Sequence, residues 1–509
     1  MSAHPEALKP GVTVDAAEAA ERSATTRDLD RRATASLLWQ SAKVAVHLIQ
    51  YVVLARLVLP AEFGKFALVA PLFLVLSCIN DGGLSTATVT GRRYDAALAS
   101  SLWWTQVGMG FAMAGLMVAG APLMAMLFGV PDLFAIGAAL AISLIIESCG
   151  LQSRANLRRD MRVGAVAIVE IGGLIFGITS AFVASRWTDG AMLVVIAQIA
   201  NACGRSSIAY SLAPVRPQGF APTREYRDAL RTGWHVVGSD LLIIMRTHFP
   251  SWVLGFFLVL SEVGLFSRAN QLVNVPLTML APAMGNFLLP LLCRTRDRWS
   301  EFQGHIQRTQ RMFIAISMPM SVWIAMGPSD LIGFVLGPEW LPAVPILQAL
   351  SPLFISQVIT TVARMALLAS ERSHVDRQFS FWSFLMTIAA VLLAAPFGVL
   401  AVALALSLSG VALRTPILAV MAVRQGNMGA ANVLDGLRVV GTLAVISGAI
   451  LMMVRMLPLE GVIADALGLA LMGGVSAAAL AAILRRPQAS PSTRRFSIIT
   501  RRAAMSETI

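Results

Sequence analysis

Apolar runs of about 20 residues recur from Leu37 almost to Leu484, separated by short breaks that contain basic residues, proline or glycine. Each run is long enough to cross a bilayer core of ~30 Å as a helix. The chain is 56% hydrophobic and only 13% charged over 509 residues, which leaves too little polar surface for a soluble protein of this size. The sequence therefore predicts an all-α polytopic membrane protein.

The alternation of apolar runs and breaks predicts about fourteen transmembrane helices. Their predicted ranges are 36–59, 64–89, 98–128, 132–153, 163–186, 190–213, 232–259, 263–292, 309–327, 341–369, 378–396, 398–422, 433–456 and 461–484.

Arginines are concentrated in alternate breaks, such as 154–162 and 216–231, and in the tail after the last span. By the positive-inside rule these breaks are cytoplasmic, so an even number of spans places both termini in the cytoplasm. The first 33 residues lack the apolar segment of a signal peptide and are expected to be a cytoplasmic tail. The net charge of +12 is thereby explained by topology signals and lipid headgroup contacts, without a nucleic acid partner.

Two short segments suggest an internal duplication. Glu62, Gly64 and Phe66 recur as Glu262, Gly264 and Phe266, at an offset of 200 residues, and "LFGVPDL" (127–133) is echoed by "VLGPEWL" (335–341). Six spans separate the copies, so they share one orientation and are related by a pseudo-two-fold axis along the membrane normal. We expect two six-helix lobes with an added helix pair. The expected divisions are a cytoplasmic tail (1–33), the two lobes (34–215 and 216–424), the C-terminal pair (425–486) and a basic cytoplasmic tail (487–509).

Catalytic and cofactor signatures are missing from the sequence. It contains no nucleotide-binding glycine loop, no GxSxG, no HExxH, and no haem or flavin motif, and no predicted loop is long enough for a soluble catalytic domain. Cys78, Cys149, Cys203 and Cys293 lie far apart, which predicts neither a metal site nor a disulfide. The sequence therefore favours a transporter with no catalytic residue and no cofactor.

The first span carries a stripe of polar residues inside an apolar run. Their spacings of 4, 3, 4 and 3 place them on one helical face: Ser36, Gln40, Lys43, His47 and Gln50. A lysine facing lipid at mid-bilayer costs ~2.5–3.5 kcal/mol, so the face is expected to line a water-filled cavity or to form a neutralised cluster inside the bundle.

The seventh span, which is the repeat partner of the first, also carries polar and charged residues: His235, Asp240, Arg246 and His248. We expect Lys43 and Arg246 to face one central cavity, with His47 and His248 beside them, and cations there suit an anionic substrate. Glu147 and Glu170 are expected either to pair with arginines at helix ends or to relay protons.

Two further groups of residues are candidates for functional roles. Proline removes a helical hydrogen bond, so Pro276, Pro282 and Gly285 in the eighth span predict either a hinge for alternating access or a static kink. Four arginines are expected at the cytoplasmic mouth, where they either capture an anionic headgroup or only set the topology: Arg154, Arg158, Arg159 and Arg162.

Several stretches resemble the Wzx-type oligosaccharide flippases of the polysaccharide transport family, within the multidrug/oligosaccharidyl-lipid/polysaccharide superfamily. These stretches are "LARLVLPAEFGKFAL", "NDGGLSTATVTGRR", "RANLRRDMRVGAVAIVEIGG" and "VGLFSRANQLVNVPLTMLAPAMGNFLLPLLCR". They are most like the colanic acid and succinoglycan exporters. The resemblance implies a two-lobe bundle whose first, second, seventh and eighth helices line a central cavity. It also implies that the cargo is an oligosaccharide linked to a polyprenyl diphosphate.

The chemistry of this cargo fits the polar residues. A buried diphosphate needs Arg or Lys donors, and a sugar needs a polar lumen, which Gln40, Gln50, Asn270 and Asn274 are expected to line. One departure concerns coupling, because Phe249 and Pro250 stand where the family often has an acid. The coupling ion, if any, is left open.

Two alternatives compete with a flippase. A cation-coupled multidrug exporter of the same superfamily would have acids in place of Lys43 and Arg246. A membrane-embedded polysaccharide polymerase or ligase would need long periplasmic loops, which the sequence lacks. The expected partners of a flippase are its lipid-linked oligosaccharide, membrane lipids, and the polymerase and co-polymerase of the same export system.

Overall fold

The computed structural model describes residues 39, 42–90, 94–215, 218–220, 223–283, 288–295, 298–426, 428–459 and 461–485. Over these residues it is helical and contains no strand, which confirms the all-α prediction. The helices are α1 (42–57), α2 (Pro60–Asp81), α3 (Leu84–Thr90), α4 (Ala96–Phe128), α5 (Asp132–Arg159), α6 (Val163–Ala184), α7 (Ala191–Leu212), α8 (Arg224–Phe257), α9 (Leu260–Ala283), α10 (Leu289–Thr295), α11 (Trp299–Ala325), α12 (Ser329–Leu336), α13 (Ala343–Ala369), α14 (Ser373–Ala394), α15 (Val399–Leu408), α16 (Thr415–Gln425), α17 (Ala430–Arg455) and α18 (Gly461–Arg485). A π-helical segment, Ser409–Arg414, joins α15 to α16.

Helix ends follow from local sequence. Asp95 precedes α4 and its carboxylate accepts a hydrogen bond from the Leu98 amide at 2.7 Å, while Thr223 caps α8 through the Tyr226 amide at 3.2 Å. These side chains satisfy amides that a helix start leaves without partners. Gly82 ends α2 with a φ of 57°, a left-handed conformation that glycine adopts without strain.

Within the described residues, ten segments are long and apolar enough to cross a membrane, and α11 with α12 makes an eleventh if this pair, bent by 90°, is one span. The ten are α2 with α3, α4, α5, α6, α7, α13, α14, α15 with α16, α17 and α18. A total of fourteen spans requires that α1, α8 and α9 also cross the membrane, and this total stays a prediction. The bend follows α11 at Gly327, whose φ is 72°, and it coincides with the predicted end of the span 309–327.

The outer surface of the bundle is apolar. Only 22% of the most apolar stretch of α4 is buried inside the protein, and its exposed side chains include Phe111, Leu123 and Met126. Exposed side chains of this kind are unfavourable in water but suit lipid tails. The protein is therefore a multi-pass membrane protein.

Helices α2 and α9 cross at reciprocal positions, which supports the internal repeat. An ideal Cβ atom at Gly64 would overlap the carbonyl oxygen of Leu260, and one at Gly264 would overlap the carbonyl oxygen of Pro60. Gly64 of α2 thus faces the first residue of α9, and Gly264 of α9 faces the first residue of α2. These two first residues are themselves 200 positions apart. Glycine is required at both positions because the two backbones touch there.

A second pair of contacts has the same relation. Near the end of α1, Arg56 Nε donates to the carbonyl of Val335 in α12 at 2.9 Å. Near the end of α8, the ring of Phe256 lies 4.7 Å from that of Phe128 in α4. Each contact joins the end of the first helix of one half to a repeated motif in the other half. The end of α1 meets the "VLGPEWL" segment, and the end of α8 meets the "LFGVPDL" segment. The boundaries of the lobes, 34–215 and 216–424, remain a prediction that these contacts support.

The last two helices, α17 and α18, pack on α11 and α12. Arg311 of α11 makes a bidentate ion pair with Asp435 of α17, with Nε to Oδ2 at 2.7 Å. In α18, the carbonyl of Asp465 accepts from Trp323 Nε1 and its carboxylate accepts from the Leu331 amide, both at 3.1 Å. The C-terminal pair is thus fixed to the second half of the protein.

Candidate functional site

The polar stripe of α1 faces α6. Lys43 Nζ lies 3.4 Å from the carboxylate of Glu170, and the amide of Gln50 packs against Gly177. We expected this face either to line a water-filled cavity or to form a neutralised cluster inside the bundle, and these contacts are those of a neutralised cluster. The Lys43 side chain is nevertheless 39% exposed, so its ammonium still reaches accessible space. His47 is exposed, and its ring lies 5.8 Å from that of Tyr51.

Glu170 belongs to a larger group, which we call the N-terminal ion cluster: Lys43, Glu147, Arg154, Arg158, Glu170 and Arg205. Arg158 lies 3.7 Å from Glu170, and Glu147 Oε1 forms ion pairs with Arg154 and Arg205, each at 3.2 Å. Four cations against two carboxylates leave a surplus of two positive charges. Sequence reasoning missed Arg205, although an arginine within the predicted span 190–213 was a usable signal.

The four arginines that were expected at the cytoplasmic mouth contact different residues. Arg154 is buried against Glu147, whereas the Arg158 side chain is 51% exposed. Arg159 lies 4.8 Å over the Tyr94 ring and donates to the Thr88 carbonyl at 2.5 Å. Arg162 donates to the Leu212 carbonyl at 3.0 Å. Arg159 and Arg162 thus bind backbone carbonyls near helix ends, and the capture of an anion by the four arginines stays a prediction.

Several predicted site residues fall outside the described part of the structure. Gln40 and Gly285 are not described, and neither is the side chain of Arg246. His248 is half-buried in α8, and α9 remains helical past Pro276 and Pro282 as far as Ala283. The shared cavity of Lys43 and Arg246 and the hinge in α9 therefore stay predictions.

Asn270 and Asn274 line a polar cavity of about 120 Å³ within the second half of the protein. Two arginines also line it. Arg364 makes a bidentate pair with Asp376 at 2.6 and 2.9 Å, and Arg414 donates to the Thr387 hydroxyl at 3.3 Å and to the Leu406 carbonyl at 3.2 Å. The cavity is large enough for a few water molecules. Sequence reasoning missed Arg364 and Arg414, although each stands inside a predicted span.

A larger, apolar cavity of about 640 Å³ lies on another side of α1. Residues of α1, α9, α11, α12, α13 and α18 line it, among them Val44, Leu48, Leu272, Met320 and Met472. Apart from the Tyr51 hydroxyl and Ser476, the lining side chains offer hydrocarbon, sulfur or aromatic surface. The cavity therefore suits a hydrocarbon ligand.

This architecture is that of an α-helical membrane transporter. The structure is similar to "Lipid II flippase MurJ, inward closed conformation", with a TM-score of 0.70, 14% identity and coverage of 88% of this chain and 100% of that one. It is also similar to the inward-facing conformation of a multidrug resistance MATE family transporter of the MOP superfamily, with a TM-score of 0.61, 14% identity and coverage of 79% and 95%. At this identity the likeness concerns the fold.

The sequence assigns the family. The profile of the family described as "Polysaccharide biosynthesis protein" matches residues 53–345, more than half of the 509-residue chain, so the chain belongs to this family. Its relatives include the lipopolysaccharide biosynthesis protein WzxC of Escherichia coli K12, at 19% identity over 69% of this chain and 72% of WzxC. Another is the succinoglycan biosynthesis transport protein ExoT of Rhizobium meliloti, at 25% identity over 62% and 64%. The predicted family is confirmed.

Proposed function

We propose that this protein is a flippase that moves an oligosaccharide linked to a polyprenyl diphosphate from the cytoplasmic to the periplasmic leaflet of a bacterial inner membrane. The cargo then serves exopolysaccharide or lipopolysaccharide synthesis. The protein itself makes and breaks no covalent bond in this step. Its task is to provide a polar path for the headgroup while the tail stays in an apolar environment.

The observation that carries the proposal is the two-sided environment of α1. On one side, Lys43 belongs to the N-terminal ion cluster with its surplus of two positive charges. On the other side, Val44, Leu48 and Val52 line the apolar cavity of about 640 Å³. An anionic diphosphate attached to a long hydrocarbon chain matches both surfaces along one helix.

The comparisons support the same class of cargo. WzxC and ExoT are named for the biosynthesis of lipopolysaccharide and the transport of succinoglycan, and the MurJ structure is that of a lipid II flippase. We further propose that both termini are cytoplasmic and that a polymerase and a co-polymerase of the same export system take up the product. The arginine-rich alternate breaks support this orientation.

A cation-coupled exporter is a second candidate, and one feature favours it. Asp81 of α2 and Asp240 of α8 line a cavity of about 350 Å³ between the two halves, together with Ser77 and Cys78. Carboxylates in such a place attract a cationic drug or a coupling ion. A test of drug resistance in cells that express the protein separates this candidate from the flippase.

Deletion of the gene tests the proposed function in its host. We expect polysaccharide export to stop and lipid-linked oligosaccharide to accumulate in the inner membrane, with both effects reversed by a plasmid copy. Mass spectrometry of extracted lipids measures the accumulation. Unchanged export together with a loss of drug resistance would contradict the flippase and support the cation exporter.

A further inference from the structure

Arg268 of α9 is a buried cation at the contact between the two halves of the protein. The residue is only 5% exposed. Its guanidinium carbon lies 3.7 Å from the ring centre of Phe63, 4.1 Å from that of Tyr51 and 6.0 Å from that of Trp340. We call these three rings the aromatic box. Cation–π contacts stabilise the charge in part.

The guanidinium has unused hydrogen-bonding capacity. Its Nη1 donates to Gln271 Oε1 over a long 3.5 Å, whereas Nε and Nη2 have no hydrogen-bond partner in the described part of the chain. Among the described residues no carboxylate pairs with it, in contrast to Arg311 and Arg364, which each hold an aspartate in a bidentate pair. A charge that is buried without a counter-charge is unfavourable. The position of Arg268 therefore suits a conformation of the protein in which its charge is exposed or meets an anion.

The aromatic box is assembled from both halves. Tyr51 and Phe63 belong to α1 and α2, whereas Trp340 follows α12 and donates from Nε1 to the Ala55 carbonyl at 2.9 Å. The box lies close to the glycine crossing of α2 and α9. Separation of the halves at this crossing would therefore take Tyr51 and Phe63 away from Arg268 and expose its charge.

Tyr51 also separates Arg268 from the apolar cavity. One part of the Tyr51 side chain lines that cavity, its ring covers the guanidinium, and its hydroxyl donates to Gln271. Movement of this one side chain would join a hydrocarbon-lined space to a planar cation. That combination fits a lipid whose headgroup begins with a diphosphate.

We propose that Arg268 binds the diphosphate of the lipid cargo once the halves separate, and that the aromatic box covers the charge while they are together. This inference rests on the proposed function and extends it to a named residue. The guanidinium is suited to the task because its fork of donors binds phosphate oxygens in a bidentate manner, and Nε and Nη2 are unoccupied.

Ligand binding to the purified full-length protein tests the site, with farnesyl diphosphate as the probe and farnesol and inorganic pyrophosphate as comparison ligands. We expect farnesyl diphosphate to raise the denaturation temperature of the wild type more than either comparison ligand does. Arg268→Gln should weaken this binding about tenfold, and Arg268→Lys should weaken it less, because lysine keeps the charge and loses the fork. Equal effects of pyrophosphate and farnesyl diphosphate would contradict a lipid site.

Removal of the cover gives a sharper test. Tyr51→Ala should tighten the binding of farnesyl diphosphate, and the double variant with Arg268→Gln should lose that gain. The control is Arg455→Gln. Arg455 is exposed and donates from Nη2 to the Gly327 carbonyl at 3.2 Å, so its replacement should leave the binding of farnesyl diphosphate unchanged. If Arg268→Gln binds the probe as well as the wild type does, or if neither the wild type nor Tyr51→Ala binds it, the site is refuted. A failure of the deletion test with Arg268-dependent binding intact would instead refute the proposed function.

Discussion

At the scale of single residues, the cations of this protein differ in how their charge is compensated. Arg364 holds Asp376 in a bidentate pair, Lys43 shares Glu170 with Arg158, and Arg268 has aromatic rings in place of an acid. A fully paired cation stabilises its surroundings, whereas a partly compensated one retains attraction for a further anion. The residues with the least compensation are therefore the better candidates for contact with an anionic cargo.

Reversal of charge at Lys43 tests the N-terminal ion cluster. Lys43→Glu lowers the surplus of charge from two to zero and places a carboxylate beside Glu170. We expect export to fall about tenfold or more, equivalent to ~1.4 kcal/mol, and Lys43→Arg to keep part of the activity. Export of polysaccharide at matched protein level is the measurement. Lys65→Gln is the control, because Lys65 is also paired, at 2.7 Å from both Glu62 and Asp132, but lies outside this cluster.

Replacement of two arginines by methionine should change stability in opposite directions. Arg268→Met removes a buried charge that lacks an acid and should raise the free energy of unfolding by ~1–4 kcal/mol, while Arg364→Met leaves Asp376 without its partner and should lower it by ~3–5 kcal/mol. Thermal denaturation in one detergent compares the two. A loss of stability in Arg268→Met equal to that in Arg364→Met would show that Arg268 is a structural residue.

At the scale of helices, the crossing of α2 and α9 brings the backbones of the two halves into direct contact. Gly64 and Gly264 each touch the first residue of the opposite helix, so any side chain there must push the backbones apart. The contact is reciprocal, as a parallel repeat requires. A transporter that opens at this end has to separate these two helices, and the aromatic box around Arg268 with them.

Gly64→Ala tests the crossing. The added methyl group would meet the backbone of Leu260, which cannot rotate away as a side chain can, and overpacking of this kind costs ~1–3 kcal/mol. We expect a lower denaturation temperature and altered opening. Gly108→Ala in α4 is the matched control, because nothing lies within 4 Å of its new methyl group and alanine favours a helix by ~0.5–1 kcal/mol. Equal stability of both variants would argue against a tight crossing.

The sequence predicted the elements well and the contacts between them poorly. Apolar length and helix periodicity predicted the apolar helices, and the offset of 200 between Glu62 and Glu262 predicted a repeat that the reciprocal contacts of α2 and α9 support. Periodicity also placed Lys43 on a polar face, but it could not show which helix that face meets. The bond from Tyr51 to Gln271 joins residues 220 apart, and the one from Trp340 to Ala55 joins residues 285 apart. Such partners follow from the packing of the whole bundle, which no local pattern encodes.

At the scale of the whole molecule, the proposed transport requires one orientation of the protein in the membrane. Cysteine substitutions at Ala3 and Ser506, in a protein without its four natural cysteines, report the position of both termini. We expect no reaction with a membrane-impermeant maleimide in intact spheroplasts and full reaction after permeabilisation. Labelling of one terminus alone from the outside would refute the even number of spans, and labelling of both would reverse the assignment of the arginine-rich breaks.

Movement of a lipid-linked oligosaccharide in a purified system is the most direct test of the central claim. The protein is reconstituted into liposomes that carry this lipid in both leaflets, and membrane-impermeant periodate is added to oxidise the sugars on the outside. We predict that oxidation proceeds beyond the outer leaflet with the wild type, does so at least about tenfold more slowly with Lys43→Glu, and stops at about half of the lipid in empty liposomes. Oxidation that stops at the same fraction with the wild type as in empty liposomes would contradict the account.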